Sequence, residues 1–401
     1  MPRRATFDPT QAGLALWTAS LGIVACGGVT LDGGNVGGDD AGRGAPSSDA
    51  GGDGTGARTD GAMANDALSS SCASDVCAAG RTADAGGDSP SARPGDGVVV
   101  LWSDESGWTQ PSSMAIDATD IYLTADSGDN GVVVRVPKSG GAPTTLASTG
   151  EDPFGIALDA THVYWRAAND VEGWDILSVP KGGGTPTTIT SQPEIQWGPV
   201  VNDTDLYWAW SSAGVYPGTN TFAVVTVPKS GGTPSTIASG TDQVMDLTVD
   251  ATNVYWIEQD HAAVMALPVA GGVPTKLAAT TDASADAYGL SLAIHGANVY
   301  WTDSHSERVP KVGGATVEVY HSPSIGPFTV DSANFFLVNC VRGELLTGLQ
   351  GAAHAVVTRP TSPDGGIWYV ADPVVGLAVD DTSIFWLDGN NGGPLLFKRP
   401  K

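Results

Sequence analysis

Three histidines occupy positions that would suit a metal site or an acid–base pair. His261 and His305 lie six and five residues after the aromatic residues Tyr255 and Tyr300, and each has a carboxylate within two positions along the chain. His321 lies in a later loop. Imidazole and carboxylate groups bind transition metals, and together they also form a general base with its orienting partner. The simpler interpretation, which we favour, is that these are exposed loop histidines.

Aromatic and acidic side chains occur in the same predicted loops and form the candidate ligand-binding set. Rings offer flat apolar area and carboxylates accept hydrogen bonds, so the mixture suits sugars, peptides or cationic groups. The alternative is that the acidic residues serve turns and the rings pack within the fold. The candidate ligand-binding residues are Trp108, Glu151, Asp152, Trp174, Trp197, Trp210, Tyr288, His261, His305 and His321.

Motifs of the common catalytic classes do not occur in a suitable context. The sequence lacks a serine nucleophile elbow, a phosphate-cradling glycine loop and a dinucleotide fingerprint. The segment from Asp126 to Gly131 is rich in oxygen ligands, which makes calcium the candidate ion, but it breaks the register of a helix–loop–helix calcium site. We therefore predict a hairpin loop there, no catalytic residue and no bound cofactor, and the identity of any metal site stays open.

A unit that recurs seven times must position these side chains. Each unit carries an aromatic anchor, and successive anchors are 36 to 49 residues apart. This spacing accommodates four short strands with their turns, which is the size of a propeller blade. β-Branched and aromatic runs alternate with a D-A-T-x turn and a P-K-S-G-G turn, and we recognise the second turn in the first five units only. The anchors are Tyr122, Tyr164, Tyr207, Tyr255, Tyr300, Phe336 and Phe385.

The strands at the two ends of the repeat predict a closed ring. The seventh unit supplies three strands, whereas an additional strand at 97–102 precedes the first unit. That strand would complete the last blade and remove a free sheet edge. The prediction is an all-β fold, a seven-bladed β-propeller over 97–401 closed by an N-terminal strand. An open β solenoid is the alternative, and it would need edge caps that the sequence does not show.

The two faces of such a ring differ in sequence. Turns between strands 1 and 2 and between strands 3 and 4 of each blade are stereotyped and share one face, which we name the turn face. Loops between strands 2 and 3, and loops between blades, differ from unit to unit and share the other face, which we name the variable face. Recognition is commonly built on the variable loops of a rigid scaffold, so we expect function there.

The aromatic pairs carry a family resemblance. Tyr300-Trp301-Thr302-Asp303 spells a complete YWTD signature, and three other units keep its Tyr-Trp pair at 164–165, 207–208 and 255–256. The repeats thereby resemble bacterial β-propellers of the YWTD, NHL and TolB-like types. The resemblance covers about 97–401. It implies the propeller fold alone, because the YWTD modules of the low-density-lipoprotein receptor have six blades, whereas this repeat predicts seven.

The N-terminal segment, 1–25, has the pattern of an export signal. It combines Arg3 and Arg4 with a short apolar run that ends in small residues before Cys26, which is typical of a secretory signal. The segment resembles the lipobox of bacterial lipoproteins. That resemblance implies lipidation at Cys26 and, because Gly27 follows, delivery to the outer membrane. An ordinary secretory signal with a chance cysteine is the alternative.

Residues 26–96 are expected to form a disordered, acidic linker. Between residues 27 and 96 there are 11 Asp and four Arg but no Phe, Tyr or Trp, so the segment has little to bury and its charge extends it. Cys72 and Cys77 would form a small disulfide loop in an oxidising compartment or remain free thiols.

Composition narrows the function classes. The formal net charge of −25 argues against a nucleic-acid partner, which needs clustered basic side chains. We predict an exported, lipid-anchored, monomeric binding or scaffold module at the bacterial outer membrane or cell surface, in contact with the membrane only through its anchor. Its predicted partner is an envelope protein or a glycan, bound without catalysis by the variable face. The alternative is a propeller hydrolase or lyase that uses metal, histidine or carboxylates on the same face.

Overall fold

The computed structural model describes residues 98–103, 110–126, 131–150, 152–169, 173–212, 220–259, 261–280, 291–302, 305–320, 327–339, 344–349, 355–358, 374–388 and 395–401. The predicted export signal, Cys26 and the linker lie outside the described residues, as does most of the proposed calcium loop after Asp126. Within the described ranges the regular elements are all strands, and no helix long and apolar enough to cross a membrane is found.

Each unit of the repeat forms one antiparallel sheet of four strands, which we call a blade and number in chain order. Blades 1 and 2 contain β2 (Gln110–Ile116), β3 (Asp120–Asp126), β4 (Gly131–Pro137), β5 (Thr144–Thr149), β6 (Phe154–Leu158), β7 (His162–Ala168), β8 (Trp174–Pro180) and β9 (Thr187–Gln192). Blades 3 and 4 contain β10 (Trp197–Val201), β11 (Asp205–Ser212), β12 (Thr221–Pro228), β13 (Ser235–Gly240), β14 (Val244–Val249), β15 (Asn253–Glu258), β16 (Ala263–Pro268) and β17 (Thr275–Ala279).

The remaining sheets follow the same plan, and the last one includes the first strand of the chain. Blades 5 and 6 contain β18 (Ser291–His295), β19 (Asn298–Thr302), β20 (Ser306–Pro310), β21 (Val317–Tyr320), β22 (Phe328–Val330), β23 (Asn334–Asn339), β24 (Glu344–Leu349) and β25 (Ala355–Thr358). The last sheet has the order β1-β28-β27-β26, formed by β1 (Val99–Ser103), β26 (Val374–Val379), β27 (Ser383–Asp388) and β28 (Leu395–Pro400). The N-terminal strand therefore completes the C-terminal sheet, as the sequence predicted.

The first strands of the blades line the inside of the assembly. Each of them contacts the first strand of the next blade, in the order β2, β6, β10, β14, β18, β22 and β26, and β26 contacts β2. Strands that follow one another within a blade pair in antiparallel register, and in the last sheet β1 also pairs antiparallel with β28. The all-β propeller expected from the repeat is confirmed.

The Tyr-Trp pairs hold neighbouring blades together. Successive side chains of a strand point to opposite faces of its sheet, so the two rings enter two different cores. Tyr122 of blade 1 lies in one buried cluster with Trp165 of blade 2. The same pairing joins blades 3 and 4, where Tyr207 lies in one buried cluster with Trp256. The indole rings are fully buried, so this apolar packing is a main source of stability between blades.

Stereotyped turns join the blades on the turn face through charge. In blade 1 the carboxylate of Asp117 accepts hydrogen bonds from the backbone N–H groups of Thr119 and Asp120, both at 2.9 Å, and from the hydroxyl of Tyr122 at 3.0 Å. The Nζ atom of Lys181, in the P-K turn of blade 2, donates to the same carboxylate at 2.9 Å. Burial alone would raise the pKa of Asp117, but the Lys181 ammonium and these donors outweigh it and hold that pKa well below its usual range.

This aspartate–lysine contact recurs at five blade boundaries among the described residues. The pairs are Lys138–Asp380, Lys181–Asp117, Lys229–Asp159, Lys311–Asp250 and Lys401–Asp331. The last pair corrects the expectation that blade 7 has lost the P-K turn. Pro400 pairs with Ser383, and Lys401 donates its backbone N–H to Thr382, as Lys138 does to Thr119 in blade 1. The turn was identified from its Gly-Gly pair, so the sequence analysis did not recognise the Pro-Lys pair at 400–401.

Candidate functional site

The structure describes six of the ten candidate ligand-binding residues. Trp108, Glu151, Tyr288 and His321 lie outside the described residues. Asp152, Trp174, Trp197, Trp210, His261 and His305 are described and belong to the ends of strands or to loops on the variable face. Ligand binding by any of them stays a prediction.

The three described tryptophans of this set take part in packing. Trp174 and Trp210 are partly buried against the core cluster between blades 2 and 3, and Trp197 is partly buried against the next cluster. The exposed large apolar side chains among the described residues are isolated valines, at positions 99, 273, 312 and 317. The described surface therefore does not show the exposed aromatic patch expected of a sugar-binding platform.

A buried arginine that sequence reasoning missed lies beside two of these rings. The guanidinium of Arg166 lies 4.5 Å from the ring centre of Trp174 and 5.0 Å from that of Phe154, and it donates to the carbonyl of Ile195. Burial lowers the pKa of Arg166 to about 10, and the nearby Asp152 carboxylate opposes that shift. The stacked rings and the carbonyl satisfy most of this cation, which gives it a structural role.

The clearest constellation of chemically active side chains on the variable face lies in blade 4. It comprises Asp242, Glu258 and His261, whose ligand atoms all lie within 4.8 Å of one another. Asp242 precedes β14, Glu258 is the last residue of β15, and His261 lies in the loop from β15 to β16. We name these three residues the blade 4 cluster. Three separate segments of the chain thus converge on one point.

Hydrogen bonds fix the position of each group in the cluster. The Oδ1 atom of Asp242 accepts from the backbone N–H of Gln243 at 2.6 Å, and Oδ2 accepts from the backbone N–H of His261 at 3.0 Å and from the imidazole Nδ1. The indole Nε1 of Trp256 donates to Oε1 of Glu258 at 3.0 Å, while Oε2 lies 4.0 Å from Nδ1 of His261.

The exposed fraction of the side chains increases from the inside of the cluster to its surface. The side chain of Asp242 is 1 % exposed, that of Glu258 is 12 % exposed, and that of His261 is 62 % exposed. Burial raises the pKa of Glu258, and the Asp242 carboxylate adds to that shift, whereas the Trp256 indole, His261 and Lys276 oppose it. The site therefore presents two enclosed acidic groups behind one accessible imidazole, which suits cation binding or base catalysis.

Sequence reasoning identified part of this cluster. His261 was a candidate residue, and Asp242 lies in one of the loops assigned to the variable face. The structure brings them together, but it does not include His305 in the cluster. Glu258 was missed, although it occupies the fourth position of a Tyr-Trp-x-x segment, where the complete signature of blade 5 has Asp303. That alignment was the available signal.

A second carboxylate with a perturbed pKa lies on an innermost strand. Asp246 is in β14, and its Oδ2 atom accepts the backbone N–H of Leu292 in blade 5 at 2.6 Å. Burial raises the pKa of Asp246 to about 6, although the hydrogen bonds from Leu292, Leu247 and Ser291 oppose the shift. Ser113 makes the equivalent contact from blade 1, because its Oγ atom accepts the N–H of Ile156 in blade 2 at 3.2 Å. This position links blades.

Comparison with known proteins places the chain by its fold. No protein-family model matches it, and no curated protein matches it either. Its structure is similar to a streptogramin B lyase, with 10 % identity, a TM-score of 0.54 and coverage of 76 % of this chain and 97 % of that one. It is also similar to an oligogalacturonate lyase from Vibrio parahaemolyticus, with 13 % identity, a TM-score of 0.52 and coverage of 76 % and 93 %.

A third similar structure is YCF48 from Cyanidioschyzon merolae, with 11 % identity, a TM-score of 0.51 and coverage of 76 % of this chain and 98 % of that one. At these identities the likeness establishes the fold and nothing finer. The protein is a β-propeller, and its activity has to be argued from its own residues.

Proposed function

We propose that this protein is a lipid-anchored, seven-bladed propeller of the bacterial cell envelope that binds its partner without catalysis through the variable face. The observation that carries the proposal is the blade 4 cluster, where a buried carboxylate fixes an accessible imidazole among varied loops. The stereotyped turns are occupied by interblade ion pairs, so the variable face is the surface left to recognition. Cys26 is the proposed attachment point of the lipid.

The net charge of this protein restricts the charge that the proposed partner, an envelope protein or a glycan, carries at the contact. A protein of formal net charge −25 repels polyanions at low ionic strength. The two enclosed carboxylates of the cluster add negative potential at the point where the partner would bind. The favoured partner therefore carries basic or neutral groups at the contact, or reaches the face through a bridging cation.

The proposal is tested by measuring binding of the full chain to neutral, cationic and anionic oligosaccharides and to solubilised outer-membrane proteins. We expect saturable binding that weakens at least tenfold in His261→Ala and in Glu258→Gln. His295→Ala is the matched control, because His295 lies at a turn-face position of the adjacent blade. The absence of binding, or equal losses in all three variants, would contradict the proposal.

A propeller hydrolase or lyase is the second candidate, and one observation favours it. Asp242 accepts a hydrogen bond from Nδ1 of His261, so the neutral imidazole has its basic lone pair on Nε2. A buried carboxylate that orients an accessible imidazole is the arrangement of a general base. Turnover of esters, lactones or uronate oligomers that is lost in His261→Ala would replace the binding proposal with this one.

A further inference from the structure

Blade 4 carries, at Glu258, an acid that blades 1 to 3 lack, although the same position is acidic in blades 5 and 7, as Asp303 and Asp388. Four blades carry an equivalent, fully buried tryptophan, namely Trp165, Trp208, Trp256 and Trp301. The indole nitrogens of Trp165, Trp208 and Trp301 have no hydrogen-bond partner, whereas that of Trp256 donates to Glu258. The position of Glu258 holds Ala167 in blade 2 and Trp210 in blade 3. The acid is therefore not needed by the fold, because blades without it form the same sheet.

The arrangement of the cluster matches what a divalent cation requires. Its three donors are two carboxylate oxygens and one imidazole nitrogen, all within 4.8 Å of one another. In a tetrahedral zinc site with ligand bonds of about 2.1 Å, the ligand atoms lie about 3.4 Å apart. The 4.0 Å separation between Glu258 Oε2 and His261 Nδ1 closes to that value with small side-chain rotations. Asp242 is in hydrogen-bonding contact with the same nitrogen, so these two atoms would move apart to admit the ion.

Supporting contacts hold the donors in place in the manner of outer-shell residues. The Trp256 indole binds Oε1 of Glu258 and leaves Oε2 toward the histidine, while the backbone N–H groups of Gln243 and His261 hold Oδ1 and Oδ2 of Asp242. Ala262, with a left-handed φ of 45°, forms the tight turn that brings His261 back over the strand end. Such second contacts orient metal ligands and raise affinity.

We propose that Asp242, Glu258 and His261 form a binding site for a divalent transition-metal ion, with zinc as the cation that fits the donors best. Two carboxylates and one imidazole are ligands that zinc accepts in four-coordinate sites. When the ion binds, the neutral imidazole of His261 changes tautomer: its single proton moves from Nδ1 to Nε2, and the Nδ1 lone pair becomes the metal ligand beside Asp242. Because His261 is on the exposed side, a fourth position is open to water or to a donor of the bound partner.

The charge balance also favours an ion at this position. The cluster contains two carboxylates, and among the described residues Lys276 is the lysine beside it, with its Nζ atom 3.4 Å from the His261 carbonyl oxygen. A divalent cation neutralises both acids. This inference deepens the proposed function and rests on it for the choice of face, but its test measures the metal alone.

Isothermal titration calorimetry of the full chain with zinc chloride at pH 7 tests the site. The protein is first treated with EDTA, and every cysteine that is a free thiol is alkylated with N-ethylmaleimide, because thiolates also bind zinc. We expect one saturable site that weakens at least tenfold in His261→Ala and in Glu258→Gln and is unchanged in His295→Ala. His261 is exposed, so its substitution leaves the fold intact, and circular dichroism verifies this for each variant.

The outcomes separate the two proposals. Absence of saturable zinc binding, or binding that His261→Ala and Glu258→Gln leave unchanged, overturns the metal site while partner binding by the variable face is judged on its own assay. Zinc binding that depends on the cluster supports the site even where no oligosaccharide or envelope protein binds. Cobalt substitution gives a second readout, because a four-coordinate site produces intense visible d–d absorption and a six-coordinate one does not.

Discussion

At the residue scale, the side chains that matter most to this fold link one blade to the next. Asp246 is the clearest example, because it places a carboxylate where blade 1 has only Ser113, and both accept a backbone N–H from the following blade. A serine hydroxyl makes this contact without charge. The aspartate makes it at the cost of an enclosed negative group, which is why burial raises its pKa to about 6.

Asp246 should make the stability of the propeller depend on pH. Its folded pKa lies above the unfolded value, so the native state binds the proton more tightly. The stabilisation is complete below about pH 4 and is lost as pH rises through about 6. We expect a contribution of about 3 kcal/mol to disappear over this range. Urea unfolding at a series of pH values should show this slope in the wild type and a flatter profile in Asp246→Asn. Identical slopes in the two proteins would contradict the assignment.

At the element scale, the aspartate–lysine contact between the turns of neighbouring blades, which we call the clamp, holds blades together. The boundary between blades 3 and 4 lacks both charged residues of this contact. Blade 3 has Asn202 where blades 1, 2, 4, 6 and 7 have aspartate, and blade 4 has Val269 where blades 1, 2, 3, 5 and 7 have lysine. Asn202 keeps the turn, accepting the N–H groups of Thr204 at 3.0 Å and Asp205 at 2.8 Å. Val269 packs against the core cluster that contains Tyr207, the ring position over which a lysine lies elsewhere. The two losses compensate each other.

At the boundary between blades 2 and 3, the substitutions Asp159→Asn and Lys229→Val should therefore destabilise the protein less when combined than the sum of the two single changes. Asp159→Asn leaves the Lys229 ammonium, 21 % exposed, without its counterion, and Lys229→Val does the reverse to Asp159. We expect each single change to cost about 1 to 2 kcal/mol of unfolding free energy and the double variant to recover about 1 kcal/mol of the sum. Urea unfolding of all four proteins measures this coupling.

Asp159→Ala is the control for the turn itself. It removes the ion pair and also the bonds to the backbone of Thr161 and His162 and to the Tyr164 hydroxyl. It should cost more than Asp159→Asn, about 2 to 4 kcal/mol. Strict additivity in the double variant would show that the contact between Asp159 and Lys229 does not contribute to stability. Equal costs for the asparagine and alanine variants would show that the hydrogen bonds of the turn contribute nothing beyond the ion pair.

At the scale of the whole molecule, stability depends on joining the two ends of the ring. β1 pairs with β28 through Val99 and Lys398, Val100 and Phe397, and Trp102 and Leu396. Leu101 and Trp102 are each 8 % exposed and lie in the core cluster shared by blades 7 and 1. Without β1, the edge of β28 and part of that cluster would be open to water.

Deleting residues 97–102 should consequently lower the melting temperature strongly. Losing the burial of Leu101 and Trp102 alone costs about 3 to 6 kcal/mol, before the lost backbone pairing is added. Deleting 27–96, the predicted linker, is the control and should leave the melting temperature within a degree or two of the full chain. Thermal unfolding followed by circular dichroism compares the three proteins, and equal shifts for the two deletions would rule out closure by β1.

The features of the fold that could be predicted from the sequence are those that recur along it. The period of the aromatic anchors, the strand patterns and the additional N-terminal strand depend on local propensity and spacing, so they identified the propeller and the strand that closes it. The contact of Lys401 with Asp331 was not predicted, because the turn was identified from its Gly-Gly pair and the Pro-Lys pair at 400–401 was not considered alone. Asn202 and Val269 are also visible as exceptions in the repeat. That the two exceptions belong to one blade boundary could be recognised only once the structure showed which turns are neighbours.

Only the tertiary structure could assemble the blade 4 cluster. Asp242, Glu258 and His261 come from three segments, and the loops that carry two of them have no repeated pattern from which a direction could be predicted. The tryptophans illustrate the converse, because Trp174, Trp197 and Trp210 have the composition of a binding surface yet pack against the cores. Side-chain type and spacing determine which blade a residue belongs to, whereas burial and convergence depend on how neighbouring blades pack, which is a property of the closed assembly.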